Sequence, residues 1–389
     1  PAPDRIRINT FDNEVYGLAG EARSSFEAGD VQVDLAFGGD VSWTRQEGLR
    51  DGTIPPRGET FPSRAFPATD FTLGGVFLAS EIALFDGMLT VFPALRFDFY
   101  DLNPTDDPLT QAFQTAAQSD NRLSPKLGVT LEPVDDVILF GNYAQGFLAP
   151  TPSQVNNFFE SFGATALPNP DLGPETSESW ELGARYVGDS FSLQVVRFEG
   201  DYDDFISQQV IGGSFTPQDP ALFQFVNFDG AAIDGFEIKA DWESDSGITA
   251  NFALAYADGD VVNPDGSRIP LDTVDPLTIV GGVGYRDPAG RFGADLIVTH
   301  NARKQADEVE RAADGSDLFV RPDASTILDL TAFVEVTSRL KLRAGIFNLF
   351  DETYALWSDV RGLRVEDANI FGAFTRPGRN ASASISYRF

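Results

Sequence analysis

The chain has 389 residues, with 59 acidic against 28 basic side chains and a formal net charge of −31. That balance argues against nucleic acid or an anionic membrane surface as a partner, because both attract lysine and arginine. The chain has no cysteine, which excludes disulfides and thiolate metal sites. It has one histidine, His300, and no Ser/His/Asp set typical of a catalytic triad accompanies it in the sequence. We therefore predict no enzymatic activity, no metal site and no permanently bound cofactor.

The predicted elements are β-strands. Apolar and polar residues alternate along 31–43, 236–242, 248–256, 328–336 and 381–389. Because successive side chains of a strand point to opposite faces, each stretch predicts a strand with one apolar and one polar face. No stretch approaches the ~20 consecutive apolar residues that a membrane-spanning helix needs.

The connections between the predicted strands alternate between short and long. Short turns rich in Gly, Pro, Asp and Ser are predicted at 27–30, 85–87, 132–136, 187–190, 243–247, 287–290 and 337–339. Long connections are predicted at 44–70, 101–122, 148–175, 207–224, 260–274, 302–325 and 351–380. A soluble sandwich has no reason to sort its loops by length in this way, whereas a membrane barrel has short turns at one end and long loops at the other.

We therefore predict an all-β fold, a transmembrane antiparallel β-barrel with its apolar face toward lipid and its polar face toward the lumen. The turns imply about fifteen strands within one barrel domain, residues 1–389. An antiparallel sheet with an odd number of strands cannot close, so we expect at least one further strand before Pro1. His300 shares the apolar face of its strand with Leu296 and Val298, which predicts an interfacial or structural role.

The last predicted strand ends in "SASISYRF", with Ile385, Tyr387 and Phe389 at alternate positions. This end resembles the last strand of outer-membrane barrels, which typically finishes with a phenylalanine preceded by aromatic or apolar residues at alternate positions. The resemblance implies that the barrel assembly machinery recognises these three residues as an assembly signal.

Three stretches resemble TonB-dependent outer-membrane receptors, and most closely their haem/haemoglobin branch. They are "LSPKLGVTLEPVDDVILFGNYAQGFLAPTPSQVNNFF" from Leu123, "LPNPDLGPETSESWELGARY" from Leu167, and "LRAGIFNLFDETYALWSDVRG" with "FTRPGRNASASISYRF" from Leu342. The resemblance implies the C-terminal part of a 22-stranded barrel whose N-terminal plug and first strands are missing. It further implies the outer membrane of a Gram-negative bacterium as location.

The resemblance also implies partners and a function. The expected partners are the TonB energy-transducing complex acting through the missing plug, outer-membrane lipid and the barrel assembly machinery, and a host haem protein is left open as a further partner. The expected function is active, TonB-dependent uptake of haem or a related iron ligand, with haem as the transported ligand. A receptor for a siderophore or another nutrient is the alternative within the family, and a passive porin-like channel is the alternative outside it.

Two short motifs give the candidate binding residues. The family's FRAP and NPNL boxes correspond to Phe147, Leu148, Ala149 and Pro150, and to Asn169, Pro170, Asp171 and Leu172. Haem receptors typically place an axial histidine between the boxes, but residues 151–168 contain no His, Tyr, Met or Cys, the ligand types that haem iron requires. Leu148 also stands in place of the arginine of the first box.

Overall fold

The computed structural model describes residues 5–55, 60–110, 115–161, 163–263, 266–312 and 314–389. Over these ranges the chain is predominantly β, and hydrogen bonds join its strands into one sheet of 18 strands. Fifteen strands are long: β1 (Arg7–Ala28), β2 (Val31–Gly52), β3 (Thr69–Leu84), β4 (Leu89–Pro104), β5 (Gln118–Val134), β6 (Val137–Leu148), β9 (Glu175–Val187), β10 (Phe191–Gly212), β11 (Ala221–Glu243), β12 (Ile248–Val262), β14 (Thr278–Arg286), β15 (Phe292–Asn301), β16 (Ser325–Thr337), β17 (Leu340–Phe347) and β18 (Asn380–Tyr387). Three are short: β7 (Phe159–Ser161), β8 (Ala164–Leu167) and β13 (Arg268–Pro270).

Helical structure is confined to the long connections in the described part of the chain. It consists of α1 (Pro152–Asn156), α2 (Trp357–Val360) and a 3₁₀ helix (Val365–Ala373). None of the helices in the described ranges is long and apolar enough to cross a membrane.

All seven predicted short turns are confirmed, and so is the count of about fifteen long strands. β3 and β4, for example, are joined by four residues in which Phe85, Asp86 and Gly87 have φ of 54°, 57° and 88°. These left-handed angles reverse the chain within one turn, and glycine and aspartate tolerate them better than most residues.

The long strands exceed their predicted lengths and reach 23 residues in β11. The connection predicted at 207–224 is therefore only 213–220, because β10 and β11 continue to pair. Residues 207–212 and 221–227 show no strict alternation of apolar and polar side chains, so the sequence pattern ends before the hydrogen-bonded ladder does. The short strands β7, β8 and β13, which lie inside predicted loops, were missed because three or four residues are too few for a periodic signal.

The final hairpin shows the predicted two-faced pattern. In the β17–β18 register, Leu342 lies opposite Ile385 and Ile346 opposite Ala381, whereas Lys341 lies opposite Ser386 and Arg343 opposite Ser384. Cross-strand neighbours on one face of an antiparallel pair point the same way. Apolar residues therefore share one face of this hairpin and polar residues the other.

The chain divides into two compact units, the first comprising 1–129, 142–179 and 201–230. In this unit β1 to β4 form an antiparallel series, β1 with β2, β2 with β3 and β3 with β4. The short strand β8 pairs in parallel with the first residues of β11. Its buried apolar cluster consists of Tyr100, Leu102, Val155, Leu172 and Ile206.

The second unit comprises 130–141, 180–200 and 231–389. Here β12, β14, β15, β16, β17 and β18 pair antiparallel in that order. Buried hydrogen bonds join the long connections of this unit to one another. Lys304, only 2% exposed, donates from Nζ to the Val274 carbonyl at 2.8 Å, and Trp357 donates from Nε1 to the Asp272 carbonyl at 2.7 Å. His300 lies in β15 as predicted, with Nδ1 2.9 Å from the Thr326 hydroxyl.

Candidate ligand-binding site

The first box forms the end of β6 and the turn into α1. Pro150 is fully buried, while the Leu148 side chain is 59% exposed. The next residue, Thr151, precedes α1, and its N–H donates to Gln154 Oε1 at 2.8 Å. Because this bond satisfies a backbone donor at the helix start, it fixes the direction in which the chain leaves the box.

The aromatic residue of the first box packs against β4. The Phe147 ring lies 6.0 Å from the Tyr100 ring, which in turn lies 6.2 Å from the Phe71 ring. Phe147 and Ala149 both pack against the buried cluster that contains Val155 of α1. This apolar contact holds α1 beside the end of β6, and aromatic pairs at these distances add to the burial of apolar area.

The second box packs on the same cluster. Leu172 is 1% exposed and belongs to the cluster itself. The Asn169 N–H donates to the Val155 carbonyl at 2.8 Å, and Asn169 Nδ2 donates to the Phe225 carbonyl at 2.8 Å. The two boxes are therefore brought together through α1, although 18 residues separate them.

Three amide side chains that the sequence did not single out hold the backbone around the boxes. Gln118 donates from Nε2 to the carbonyls of Pro170 and Leu172, both at 2.9 Å. Asn227 accepts from the Gly173 N–H at 2.7 Å and donates to its carbonyl at 3.0 Å. Asn156, in α1, is paired in the same two-way manner with Ala116. These bonds satisfy backbone groups that no strand partner satisfies.

The eight residues proposed from the motifs thus divide by exposure. Phe147, Ala149, Pro150, Asn169 and Leu172 are buried or half-buried in the support of the loop. Leu148, Pro170 and Asp171 are exposed. Exposure thus separates three residues whose side chains reach the surface from five that support the loop.

A metal site would need suitable ligands around the two boxes or elsewhere in the described chain. Residues 151–168 carry no haem-iron ligand type, and the described residues contain no group of three or more His, Cys, Asp or Glu side chains able to hold a metal ion. Tyr100, which reaches the cluster from β4, is 3% exposed, so its phenol faces protein and not a ligand.

A charged contact lies beside the site in the same unit. Arg64 contacts the Asp107 carboxylate through Nε and the Glu47 carboxylate through Nη2 at 3.0 Å. The Leu109 N–H donates to Asp107 Oδ1 at 2.9 Å. Burial alone would raise the pKa of Asp107, but the Leu109 N–H and the Arg64 guanidinium outweigh burial and hold that pKa below its usual value.

The residues of the predicted assembly signal are placed at the end of the chain's last hairpin. Ile385 and Tyr387 lie in β18, where they are 75% and 53% exposed, and the Phe389 side chain is fully exposed. The Tyr387 and Phe389 rings meet edge to face at 5.2 Å.

Comparison with known proteins agrees with this architecture. The profile of a family described as "TonB dependent receptor-like, beta-barrel" matches residues 2–349. The chain is 28% identical over 298 residues to the hemoglobin and hemoglobin-haptoglobin-binding protein of Haemophilus ducreyi, covering 67% of this chain and 31% of that protein. It is 26% identical over 284 residues to the hemoglobin-haptoglobin utilization protein B of Neisseria meningitidis, covering 64% of this chain and 35% of that protein. It thus spans about a third of the length of these curated relatives.

Solved structures share the fold. The hemophore receptor HasR of Serratia marcescens, in complex with its hemophore HasA and heme, superposes with a TM-score of 0.72 at 17% identity, covering 98% of this chain and 60% of HasR. The copper transporter OprC superposes with a TM-score of 0.71 at 19% identity, covering 98% of this chain and 57% of OprC. The family match, the predicted and observed strand pattern and the shared fold lead to one conclusion: the chain belongs to the TonB-dependent receptor-like β-barrel family.

Proposed function

We propose that this chain is the C-terminal barrel part of a TonB-dependent receptor that imports haem or a related iron ligand across the outer membrane of a Gram-negative bacterium. The observation that carries the proposal is the loop between β6 and β9, where the two boxes typical of the haem branch pack on one buried cluster. The names of the relatives, which refer to haemoglobin and haptoglobin, support the same ligand class.

The proposed whole protein is longer than this chain. The chain covers about a third of its curated relatives, which leaves room for the plug and the remaining strands that the family implies. In this proposal the plug couples to the TonB complex, outer-membrane lipid surrounds the apolar face, and the barrel assembly machinery inserts the chain. A host haem protein would deliver the ligand.

A second candidate is a receptor for a siderophore or another nutrient. The specific observation in its favour is the lack of any haem-iron ligand type in residues 151–168. A haem receptor with this loop would have to hold its ligand by contacts to the porphyrin, or by a residue elsewhere in the whole protein.

Two measurements on the complete receptor test these proposals. Haem uptake should require TonB; equal uptake in cells with and without TonB would instead indicate a passive channel. Haem added to the purified receptor should shift the Soret band. TonB-dependent growth on other iron sources with no Soret shift at micromolar haem would favour the second candidate.

A further inference from the structure

Asp272 lies where three long connections of the second unit meet, those between β12 and β14, β15 and β16, and β17 and β18. The Asp272 carbonyl accepts a hydrogen bond from Trp357 Nε1 at 2.7 Å, which joins the β12–β14 connection to the β17–β18 connection. Two residues further, the Val274 carbonyl accepts from Lys304 Nζ at 2.8 Å, which joins the β12–β14 connection to the β15–β16 connection. These two bonds and the residues that make them form a junction.

The junction is buried but not closely packed. Lys304 and Trp357 are 2% and 3% exposed. The β15–β16 and β17–β18 connections also pair directly, because the Val320 N–H donates to the Leu363 carbonyl at 2.8 Å. A cavity of about 90 Å³ lies against Lys304 and Trp357. Atoms that line a cavity lack contacts on one side, so the hold on the β12–β14 connection depends on few contacts.

The carboxyl group of Asp272 is placed where its charged form is disfavoured. Its Oδ1 atom is buried and has no hydrogen-bond partner among the described residues. A carboxylate oxygen without a partner loses its hydration on burial, and a neutral carboxyl loses much less. The bonds that hold the Asp272 backbone in the junction therefore favour the protonated side chain.

Charged side chains of the two neighbouring connections act on this carboxyl. The Glu310 carboxylate repels a negative charge on Asp272, whereas Lys304, Arg361 and the Glu310 N–H favour it. Burial and then Glu310 outweigh these groups and raise the pKa of the Asp272 carboxyl above its usual value. Within the β12–β14 connection, the neighbouring acidic residue Asp275 is exposed to solvent.

Protonation of Asp272 therefore stabilises the junction. A carboxyl whose pKa is raised by folding contributes its full stability below the unfolded pKa of about 4. That contribution is lost as pH rises through the folded pKa, because the ionised group is better accommodated in water than in the junction.

We propose that Asp272 is a proton-dependent latch of the long connections. Its neutral carboxyl keeps the three connections joined, and its ionised carboxyl releases the β12–β14 connection from Trp357 and Lys304. The latch goes beyond the proposed function, because it requires no particular ligand. The acidity of the surrounding medium would then set whether the three connections move together or separately.

The experiment measures hydrogen exchange in the complete receptor in detergent, from a pH of about 4 to about 7, with every rate corrected for intrinsic exchange. The reporter is the Val274 amide, which donates to the Leu271 carbonyl at 3.1 Å within the β12–β14 connection. The latch variant is Asp272→Asn, which keeps the shape of the side chain and cannot ionise. Its matched control is Asp275→Asn, which removes an exposed carboxylate from the same connection.

Two further variants change the charge around Asp272 without touching the buried contacts. Glu310→Gln removes the repelling carboxylate, and Arg361→Gln removes an attracting guanidinium; both residues are exposed. They should shift the pH of the transition in opposite directions, to lower pH for Glu310→Gln and to higher pH for Arg361→Gln. A purely structural role of the junction would not produce opposite shifts.

The first unit provides an internal control. The pKa of its Asp107 carboxyl is lowered, so the contact of Asp107 with the Leu109 N–H is complete above a pH of about 4. Protection of the Leu109 amide should therefore stay constant over the range in which the latch opens.

In the parent protein the protection factor of the Val274 amide should fall severalfold as pH rises. Asp272→Asn should keep it high throughout, and Asp275→Asn should behave like the parent. A pH-independent Val274 amide in the parent, an unchanged fall in Asp272→Asn, or a parallel fall at Leu109 would overturn the latch. If Asp272→Asn does not fold, the charge variants decide: opposite shifts support the latch, and equal or absent shifts overturn it.

Discussion

The Asn156 side chain and the Ala116 backbone form a closed pair of hydrogen bonds. Asn156 Oδ1 accepts from the Ala116 N–H at 2.8 Å, and Asn156 Nδ2 donates to the Ala116 carbonyl at 2.9 Å. Asn156 is fully buried. A side-chain amide has the donor and acceptor of a backbone peptide, so it replaces a strand neighbour here and joins the β4–β5 connection to α1 of the candidate site.

The first prediction concerns this pair. Asn156→Leu keeps the side-chain volume but removes both hydrogen bonds to the half-buried Ala116, at about 0.5 to 1.5 kcal/mol for each. We expect faster hydrogen exchange at the Ala116 amide and greater protease sensitivity of residues 115–117. The control is Asn157→Ala, because the Asn157 side chain makes no hydrogen bond to any described residue. Equal exchange of Ala116 in both variants would show that the pair does not order the loop.

Sequence reasoning located the two boxes but not the amides that hold them. Phe147 and Leu172 were found because their motifs resemble a known family. Asn156, Gln118 and Asn227 were missed because an isolated amide in a loop gives no periodic signal and its partners lie far along the chain. The short turns were predictable because their glycines and aspartates act locally. The extensions of β10 and β11 were not, because residues 207–212 and 221–227 show no strict alternation of apolar and polar side chains.

The second prediction concerns the buried lysine of the second unit. Lys304→Met removes the bond to the Val274 carbonyl and the attraction between the Lys304 ammonium and the Asp272 carboxylate, so the thermal midpoint should fall. Lys304→Glu places a carboxylate against the same carbonyl and should destabilise the connected loops by about 3 kcal/mol or more. Thermal unfolding and exchange of residues 271–276 provide the measurements.

The control for the lysine is an exposed residue of the same type. Lys239 lies in β11 with its side chain 70% exposed, so Lys239→Glu should have little effect on stability. If Lys304→Glu were as stable as Lys239→Glu, the contact between Lys304 and Val274 would not connect the loops.

The third prediction is a loss of loop order in acid. The pKa of the Asp107 carboxyl is lowered in the folded protein, so the contact of Asp107 with Arg64 and Leu109 contributes stability above the unfolded pKa of about 4. That contribution is lost as pH falls from about 4 through the folded pKa. The protection factor of the Leu109 amide, corrected for intrinsic exchange, should fall over this window.

Asp107→Asn should abolish that pH dependence, since an amide does not titrate there. Asp106→Asn is the matched control, because Asp106 is the exposed neighbour of Asp107, and it should retain the acid transition. A pH-independent Leu109 protection factor in the parent protein would contradict the assignment of the contact to Asp107.

The fourth prediction separates folding from assembly. Phe389 follows Tyr387, the last residue of β18 that pairs with β17, so its deletion removes no residue from this pairing. Refolding of the complete receptor in detergent should therefore be unchanged. Insertion into the outer membrane of cells should drop several-fold, because the resemblance assigns this end of the chain to the assembly machinery.

Phe389→Tyr retains an aromatic ring and should insert better than the deletion. If the deletion variant reached the membrane in normal amounts, Ile385, Tyr387 and Phe389 would be ordinary residues of the apolar face, and the terminal strand would carry no signal beyond its pairing with β17.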